Sequence, residues 1–256
     1  MHIYITNLKT STERRALMEQ QLQGTGLDYE FFDCVIGANL TEAEIEQRCD
    51  MAAINKHNEK LQWFNRGMIG CTMTNQLVYQ DIINKNYPYA LFLEDDTVLP
   101  TNLGTLLAHL EGGIQQGDVI LLFWNAWGGL QLKRQPVDQF EGTGLYAPVN
   151  YRDLTCGSAY VVTQKAAQAM IAANTPIANT PDSWGFFYDK KAIQRLLCAY
   201  PHAVQTADLK STMDTGKFSG LSHFVNRYKI FPLYQYLRYR RRKLKQKSQQ
   251  VSFVSN

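Results

Sequence analysis

The sequence predicts an α/β fold built on a Rossmann-like, mixed but mostly parallel sheet that is flanked by helices. Two segments, Tyr89–Leu93 and Asp118–Trp124, are nearly continuous apolar runs, which are typical of strands covered on both faces. Segments with helical periodicity lie between the predicted strands, and this alternation favours a parallel sheet with crossover helices. No Pro-, Gly- or Ser-rich linker divides the chain before its basic end.

The first third of the chain alternates short strands with helices. His2–Leu8 is an apolar strand, and Ser11–Gln23 has the Ser-x-x-Arg-Arg start and apolar spacing of a helix. Tyr29–Ile36 is rich in aromatic and branched residues, which favour a second strand. Thr41–Glu44 fits a capping box that opens a short helix. The polar residues from there to about Asn65 are predicted to be irregular.

The middle of the chain continues this alternation. Gly67–Asn84 has apolar residues at helical spacing and ends before a Tyr-Pro pair, so a helix is predicted. Further helices are expected at Leu103–Glu111 and Lys165–Ala173, with a strand at Ser158–Thr163 immediately before the second of them.

Composition indicates a folded protein of one large domain or two small ones. The 256 residues weigh 29.3 kDa, with 45% hydrophobic and 19% charged residues. The five cysteines are scattered without a CxxC pair, so we expect no disulfide framework and no zinc site. No segment resembles a signal peptide or a membrane span of about 20 apolar residues. These features predict a cytoplasmic protein.

Charge divides the chain into an acidic body, residues 1–226, and a basic tail, residues 227–256. The residues after Asp214 hold no acidic group and ten of the 26 Lys and Arg residues, which leaves 16 basic against 23 acidic residues before them, a net charge of −7. Such a body would repel nucleic acid, so no nucleic-acid partner is expected.

The tail is predicted to form a basic amphipathic helix. Tyr228–Lys247 carries apolar residues at helical spacing among eight Lys and Arg residues. Aromatic residues beside a basic face favour binding to an anionic membrane surface. The alternatives are a solvated charged helix and a surface for an acidic partner.

Three consecutive carboxylates follow the apolar strand Tyr89–Leu93. Ligands bind beyond the carboxyl ends of strands in open α/β sheets, and carboxylate oxygens there suit Mg²⁺ or Mn²⁺ holding a diphosphate. Strand alternation would place Glu94 and Asp96 on one face and Asp95 on the other. Asp96 and Glu94 are the expected metal ligands, and a solvated acidic turn is the alternative.

The order of several motifs resembles glycosyltransferase family 25, the lipopolysaccharide and lipooligosaccharide β-galactosyltransferases, which are related to collagen galactosyltransferases. The motifs that carry the resemblance are Ile5-Thr-Asn-Leu8, Ser11-x-x-Arg14-Arg15, Phe32-Asp33-x-x-x-Gly37, Gly70-Cys71, Leu93-Glu-Asp-Asp96, Cys156-Gly-Ser-Ala-Tyr160 and Pro181-Asp182. The family pattern has Ser-His where this chain has Thr74-Asn75.

The resemblance implies a GT-A type fold, a divalent metal (Mn²⁺ or Mg²⁺) and inverting transfer of galactose from UDP-galactose. It also implies a lipid-linked lipooligosaccharide acceptor, and therefore an enzyme at the inner face of the bacterial inner membrane. A glucosyltransferase of the same family and a non-catalytic glycan- or lipid-binding member are the alternatives. A sugar nucleotidyltransferase is less favoured, because no Gly-rich phosphate loop follows the first strand.

Roles for single residues follow from the resemblance. Asp182 is the expected catalytic base, with a helix N-cap as its alternative role, and Asp153 and Asp189 are weaker substitutes for the base. Asn7, Arg14 or its neighbour Arg15, and Asp33 are expected to contact the nucleotide.

The same resemblance points to further residues of the body. Asp95 is expected beside the donor, and Gln205 to shape the donor pocket. His202 and His223 are candidates for a further metal ligand, although single histidines are more often packed or exposed.

Overall fold

The computed structural model describes residues 1–61, 64–207 and 231–255. The helices are α1 Thr12–Leu22, α2 Glu42–Arg48, α3 Met51–Leu61, α4 Arg66–Asn84, α5 Leu103–Gly113, α6 Gln164–Ala173, α7 Trp184–Asp189 and α8 Leu233–Ser248. The strands are β1 His2–Asn7, β2 Tyr29–Asp33, β3 Tyr89–Glu94, β4 Thr97–Val98, β5 Asp118–Ala126, β6 Leu130–Lys133, β7 Asp138–Phe140, β8 Thr143–Tyr146, β9 Leu154–Thr163, β10 Arg195–Tyr200, β11 Gln205–Thr206 and β12 Val251–Val254.

Eight strands form the central sheet in the order β2-β1-β3-β9-β5-β10-β8-β7. Strands β1, β2 and β3 pair in parallel, as do β5 and β10, whereas β9 runs antiparallel between β3 and β5. Strand β8 is antiparallel to both β10 and β7, so all strands of this sheet except β8 and β9 point the same way. This confirms the predicted α/β fold with a mixed, mostly parallel sheet.

Apolar residues on both sheet faces explain the continuous apolar runs. In β3, Ala90 and Phe92 join one core cluster, which includes residues of α4 and α6. Leu91 and Leu93 join the opposite cluster, which includes residues of α1 and α5. Alternate side chains of a strand point to opposite faces, so a strand between two helical layers must be apolar at every position.

The capping box of α2 is confirmed, because Glu44 N–H donates to the Thr41 side chain and the Glu44 carboxylate accepts from Thr41 N–H. The prediction of an irregular stretch to Asn65 was wrong, because it contains α3. Asp50 caps that helix by accepting from Ala53 N–H at 3.0 Å. Ile54 is buried in a small cluster that also includes Ile177, so tertiary packing stabilises a segment whose own pattern is largely polar.

The tail contains a helix, but α8 begins at Leu233 rather than Tyr228, and residues 228–230 lie outside the described part of the chain. After α8 the chain forms β12, which pairs in parallel with β6 through Val251 to Val254. The end of the tail is therefore hydrogen-bonded to the body. Among the described residues, no helix is long and apolar enough to cross a membrane.

Candidate active site

The acidic segment lies where several strands end at the carboxyl edge of the sheet. In the parallel pair of β1 and β3, Thr6 is in register with Glu94. Strand β9 runs the other way, so its beginning lies at this same edge, and Leu93 is in register with Ala159. This topology assembles groups from β1, β3 and the start of β9 at the place where open α/β sheets bind ligands.

Asp95 is held by two residues from the first strand and the first helix. Asn7 Nδ2 donates to Asp95 Oδ2 at 2.7 Å, and Arg14 Nη1 donates to Asp95 Oδ1 at 2.7 Å. Arg14 Nη1 also lies 3.7 Å from Asp96 Oδ2. Two predicted nucleotide-binding residues, Asn7 and Arg14, are thus brought to the acidic segment. The positive charge of Arg14 partly compensates both carboxylates.

The strand conformation that the prediction assumed for all three carboxylates is not observed. Strand β3 ends at Glu94, and Asp95 and Asp96 lie in the turn between β3 and β4. Side chains in a turn do not alternate as they do in a strand. Arg14 accordingly contacts both Asp95 and Asp96, instead of only one of them.

Glu94 lies in an environment that opposes its ionisation. Loss of hydration on burial raises its pKa to about 7, and the negative charges of Asp96, Asp182 and Asp95 add to the shift. A hydrogen bond of 2.7 Å from Ser158 Oγ to Glu94 Oε2 acts in the opposite direction. A bound cation would reverse this balance by favouring the carboxylate form.

Asp182 lies near this cluster and is fixed through both of its carboxylate oxygens. Cys156 N–H donates to Oδ2 at 2.9 Å, and the Thr180 hydroxyl donates to Oδ1 at 2.7 Å. The alternative role as N-cap of α7 is not observed, because Ser183 occupies that position and makes no side-chain capping bond. The carboxylate instead joins the loop before α7 to the start of β9.

Two buried side-chain atoms have no hydrogen-bond partner, Asp96 Oδ1 in the acidic turn and His202 Nε2, and they are the only such atoms among the described residues. Burial lowers the pKa of His202 to about 4, so its imidazole is neutral and retains a lone pair at neutral pH. Burial also raises the pKa of Asp96.

The segment that follows His202 returns to the acidic turn. Gln205 pairs with Val98 and Thr206 with Thr97, and Ala207 N–H donates to Asp96 O at 2.7 Å. In the described part of the chain, no three His, Cys, Asp or Glu side chains are already arranged to hold a metal. The two unpartnered atoms are nevertheless chemically suited to a divalent cation, which accepts carboxylate oxygen and imidazole nitrogen.

The structure describes two of the remaining predicted residues, Arg15 and Asp33, and both contact other groups. Arg15 points elsewhere, donating to Glu19 at 3.0 Å and stacking over Phe31, so its contacts are those of a helix-surface arginine. Asp33 is half exposed and pairs with Lys9 at the end of β2. His223 lies outside the described residues.

Comparison with known proteins decides the family. The sequence model of glycosyltransferase family 25, described as an LPS biosynthesis protein, matches residues 1–184 of the 256. This chain belongs to glycosyltransferase family 25.

Relatives named as glycosyltransferases match parts of the chain. Procollagen galactosyltransferase 1-A of Xenopus laevis is 25% identical over 202 residues, covering 75% of this chain and 31% of that protein. A glycosyltransferase 25 family member of Anopheles gambiae is 31% identical over 102 residues, covering 37% of this chain and 16% of that protein. The chain therefore spans less than a third of either relative's length.

Among solved structures, a glycosyltransferase involved in the glycosylation of the major capsid of PBCV-1 aligns with a TM-score of 0.41 and 10% identity, covering 82% of this chain and 93% of that one.

The departure from the family 25 pattern at Thr74-Asn75 lies in a buried hydrogen-bond network. Asn75 Oδ1 accepts from the Tyr160 hydroxyl at 2.8 Å, and the Thr74 hydroxyl accepts from Val35 N–H at 2.9 Å. Both side chains are buried and also donate to helix carbonyls one turn earlier. In this family 25 member Asn75 joins α4 to β9, and Thr74 joins α4 to the loop after β2.

The sequence analysis missed two supporting residues, Ser158 and Thr180, and the backbone role of Cys156. Ser158 and Cys156 lie within a motif that carried the family 25 resemblance, but no spacing rule identifies their acceptors. Those acceptors, Glu94 and Asp182, come from distant segments that only the folded sheet brings together.

Proposed function

We propose that this family 25 member is an inverting, metal-dependent glycosyltransferase that moves galactose from UDP-galactose to a sugar of lipooligosaccharide or lipopolysaccharide. The observation that carries the proposal is the buried, unpartnered atom Asp96 Oδ1 within a cluster of carboxylates that includes Glu94 and Asp182. The galactosyltransferase name of one relative supports the choice of sugar.

Asp96 and His202, with Glu94 nearby, are the residues proposed to hold Mn²⁺ or Mg²⁺. When bound, such a cation supplies positive charge that offsets the charge of a nucleotide diphosphate. The raised pKa values of Glu94 and Asp96 support this assignment, because clustered carboxylates are costly when no cation compensates them. Asp95 has a different role, since Asn7 and Arg14 already occupy its two oxygens.

The donor is proposed to lie along the ends of β1 and β3. Arg14 bridges Asp95 and Asp96, and this contact orients its guanidinium at the edge where the diphosphate would bind. Asp33 ends the neighbouring strand β2, where its carboxylate is available to accept from ribose or base. Gln205 of β11 pairs with Val98 of β4, which lies two residues after Asp96. Gln205 is therefore proposed to border the same pocket.

Asp182 is the proposed general base. An acceptor hydroxyl loses its proton to the Asp182 carboxylate as its oxygen attacks the anomeric carbon, and the bond from that carbon to the diphosphate oxygen breaks. The hydrogen bonds from Cys156 and Thr180 fix the orientation of the carboxylate and leave further lone pairs on its oxygens. A displacement of this kind inverts the anomeric configuration.

Calorimetric binding of UDP, with Mn²⁺ and then with EDTA, tests the proposed site. The wild type is compared with Asp96→Asn and with Glu19→Gln, a matched carboxylate-to-amide change at a surface pair with Arg15. We expect metal-dependent binding that Asp96→Asn abolishes and Glu19→Gln preserves. Metal-independent binding would remove Asp96 as the organiser of the site. Absence of UDP binding by folded protein would reject a UDP-sugar donor.

A panel of UDP-galactose and UDP-glucose then tests the sugar. The two donors differ at one hydroxyl, and a site built to hydrogen-bond one epimer discriminates against the other. Faster turnover of UDP-glucose would assign a glucosyltransferase instead. A lipid-linked acceptor would place the reaction at the inner face of the bacterial inner membrane.

A further inference from the structure

One face of α8 combines aromatic, aliphatic and basic side chains that are all exposed. Its members recur at spacings of three, four, seven, eight and eleven residues from the first, as neighbours on one side of a helix do. They are Tyr236, Tyr239, Arg240, Lys243, Leu244 and Lys247, and we call this set the basic-aromatic face. More than half of the surface of Tyr236, Tyr239 and Leu244 is open to solvent.

The positive charges of this face belong to Arg240, Lys243 and Lys247. The sequence has no acidic residue after Asp214. The ion pairs seen in the described part of the chain include none with these three cations. Lys243 Nζ lies 4.9 Å from the centre of the Tyr239 ring, so the cation and the aromatic ring form one continuous patch.

The end of α8 is attached to the body near the candidate active site. Leu130 N–H donates to Gln250 O at 2.8 Å, and Arg134 N–H donates to Val254 O at 2.9 Å. The Ser248 hydroxyl donates to Asn125 Oδ1 at 3.3 Å, and Asn125 lies near the carboxyl end of β5. The helix that carries the basic-aromatic face is therefore attached to the body at the edge of the sheet where the acidic cluster lies.

We propose that the basic-aromatic face binds the surface of an anionic lipid bilayer. Tyrosines and an exposed leucine suit the boundary between headgroups and acyl chains, while Arg and Lys attract anionic headgroups. A nucleic acid would be repelled by the acidic body, and an acidic protein partner would not require three exposed apolar side chains among the cations. The inference stands on these residues and takes from the proposed function only that the acceptor is lipid-linked.

Co-sedimentation of the full chain with sugar-free vesicles tests this proposal. Vesicles of phosphatidylcholine mixed with phosphatidylglycerol are compared with pure phosphatidylcholine vesicles, at low and high salt. We expect binding to the anionic vesicles alone, lost at high salt because exposed charges are screened. Equal binding to both vesicle types, or binding insensitive to salt, would overturn the proposal.

Matched neutralisations locate the surface. Lys243→Gln is expected to weaken partitioning roughly fivefold, and Arg240→Gln/Lys243→Gln/Lys247→Gln roughly a hundredfold. Lys165→Gln makes the same change at an exposed residue of α6, which starts at the opposite edge of the sheet, and should leave binding unchanged. Tyr236→Ser/Tyr239→Ser should weaken binding while preserving its salt dependence. Equal loss in Lys165→Gln and Lys243→Gln would overturn the assignment.

Binding of UDP measured on the same samples separates this inference from the proposed function. Vesicle binding without UDP binding would reject the donor and retain the membrane surface, whereas the reverse result would reject the membrane surface alone. Thermal unfolding of each variant shows whether it is folded. If the basic-aromatic face binds an acidic protein or a nucleic acid and does not bind anionic vesicles, the proposal is wrong.

Discussion

Ser158 donates a hydrogen bond of 2.7 Å to Glu94, although 64 residues separate them in the chain. The contact exists because β9 runs antiparallel beside β3 and brings its first residues to the end of that strand. Glu94 is a carboxylate with a raised pKa among three others. Ser158 is therefore the neutral donor that makes this concentration of negative charge tolerable at the edge of the sheet.

Replacing Ser158 by Ala should destabilise the fold. A buried carboxylate that loses its donor costs about 1–3 kcal/mol in the free energy of unfolding. Urea unfolding at neutral pH measures the difference. Ser11→Ala is a suitable control because Ser11 precedes α1 without making a side-chain capping bond, and its effect should stay within about 0.5 kcal/mol. An unchanged midpoint for Ser158→Ala would contradict a structural role for this hydrogen bond.

Cys156 has a backbone φ of 74°, in the left-handed region that favours glycine. In this conformation its N–H reaches Asp182 and its carbonyl accepts from Trp184 Nε1 at 3.1 Å. We expect Cys156→Gly to retain stability and UDP binding, since glycine adopts this conformation without strain. Cys156→Val should lose about 1–3 kcal/mol more, because a branched side chain is strained there.

Urea unfolding of both variants measures this difference. Equal stability of the two would show that the backbone at residue 156 relaxes freely. The position would then not be a fixed support for Asp182.

Acid should weaken the fold partly by protonating the carboxylate of Asp81, a residue of α4. Burial alone would raise the pKa of Asp81, but hydrogen bonds from Lys85 and Tyr4 outweigh it and hold this pKa below its usual range. A carboxyl whose folded pKa is depressed adds stability above its unfolded pKa of about 3.9, and that stability disappears as pH falls through the folded value.

Asp81→Asn should therefore lower the free energy of unfolding near neutral pH by about 1 kcal/mol or less, because the pair is partly exposed and screened. The difference from wild type should vanish at a pH well below 4. Urea unfolding across this range measures it. A difference that persists unchanged in acid would show that Asp81 acts through packing instead of charge.

Strands β3 and β5 could be predicted from the sequence because both of their faces are buried. An apolar run such as that of β3 has few alternatives once helices lie on either side of it, and the structure confirms those assignments. Helix α3 escaped prediction because its stability comes from a tertiary cluster around Ile54, which no local pattern reports. Strands β6, β8 and β10 were missed as well, and each of them pairs with a segment that is distant in the chain.

The candidate site was predictable to the level of its segments and not of its contacts. Arg14 and Arg15 are adjacent, yet only Arg14 reaches the acidic turn, because successive helix residues point about 100° apart. Cys156 and Asp182 both lie in motifs with a family resemblance, but the bond between them depends on the antiparallel placement of β9. Pairing of distant strands is the step that the sequence leaves open.

Asp182→Asn should slow transfer strongly while sparing the donor site. An amide of the same shape cannot take a proton from an acceptor hydroxyl, so the rate of transfer should fall roughly a hundredfold to ten-thousandfold. Metal-dependent UDP binding should remain near that of the wild type, since the proposed donor contacts come from β1, α1 and the acidic turn. Transfer to a sugar acceptor and calorimetric UDP binding measure the two quantities on one preparation.

Asp189→Asn is the matched control for that variant. Asp189 is the last residue of α7. It pairs with Arg152 and accepts a hydrogen bond from the Tyr151 hydroxyl at the surface. Replacing its carboxylate should leave the transfer rate intact, because Asp189 is already paired with Arg152 and Tyr151 at the surface. If Asp182→Asn transfers at the wild-type rate, the general base is another residue, and the two hydrogen bonds on Asp182 serve only to join α7 to the start of β9.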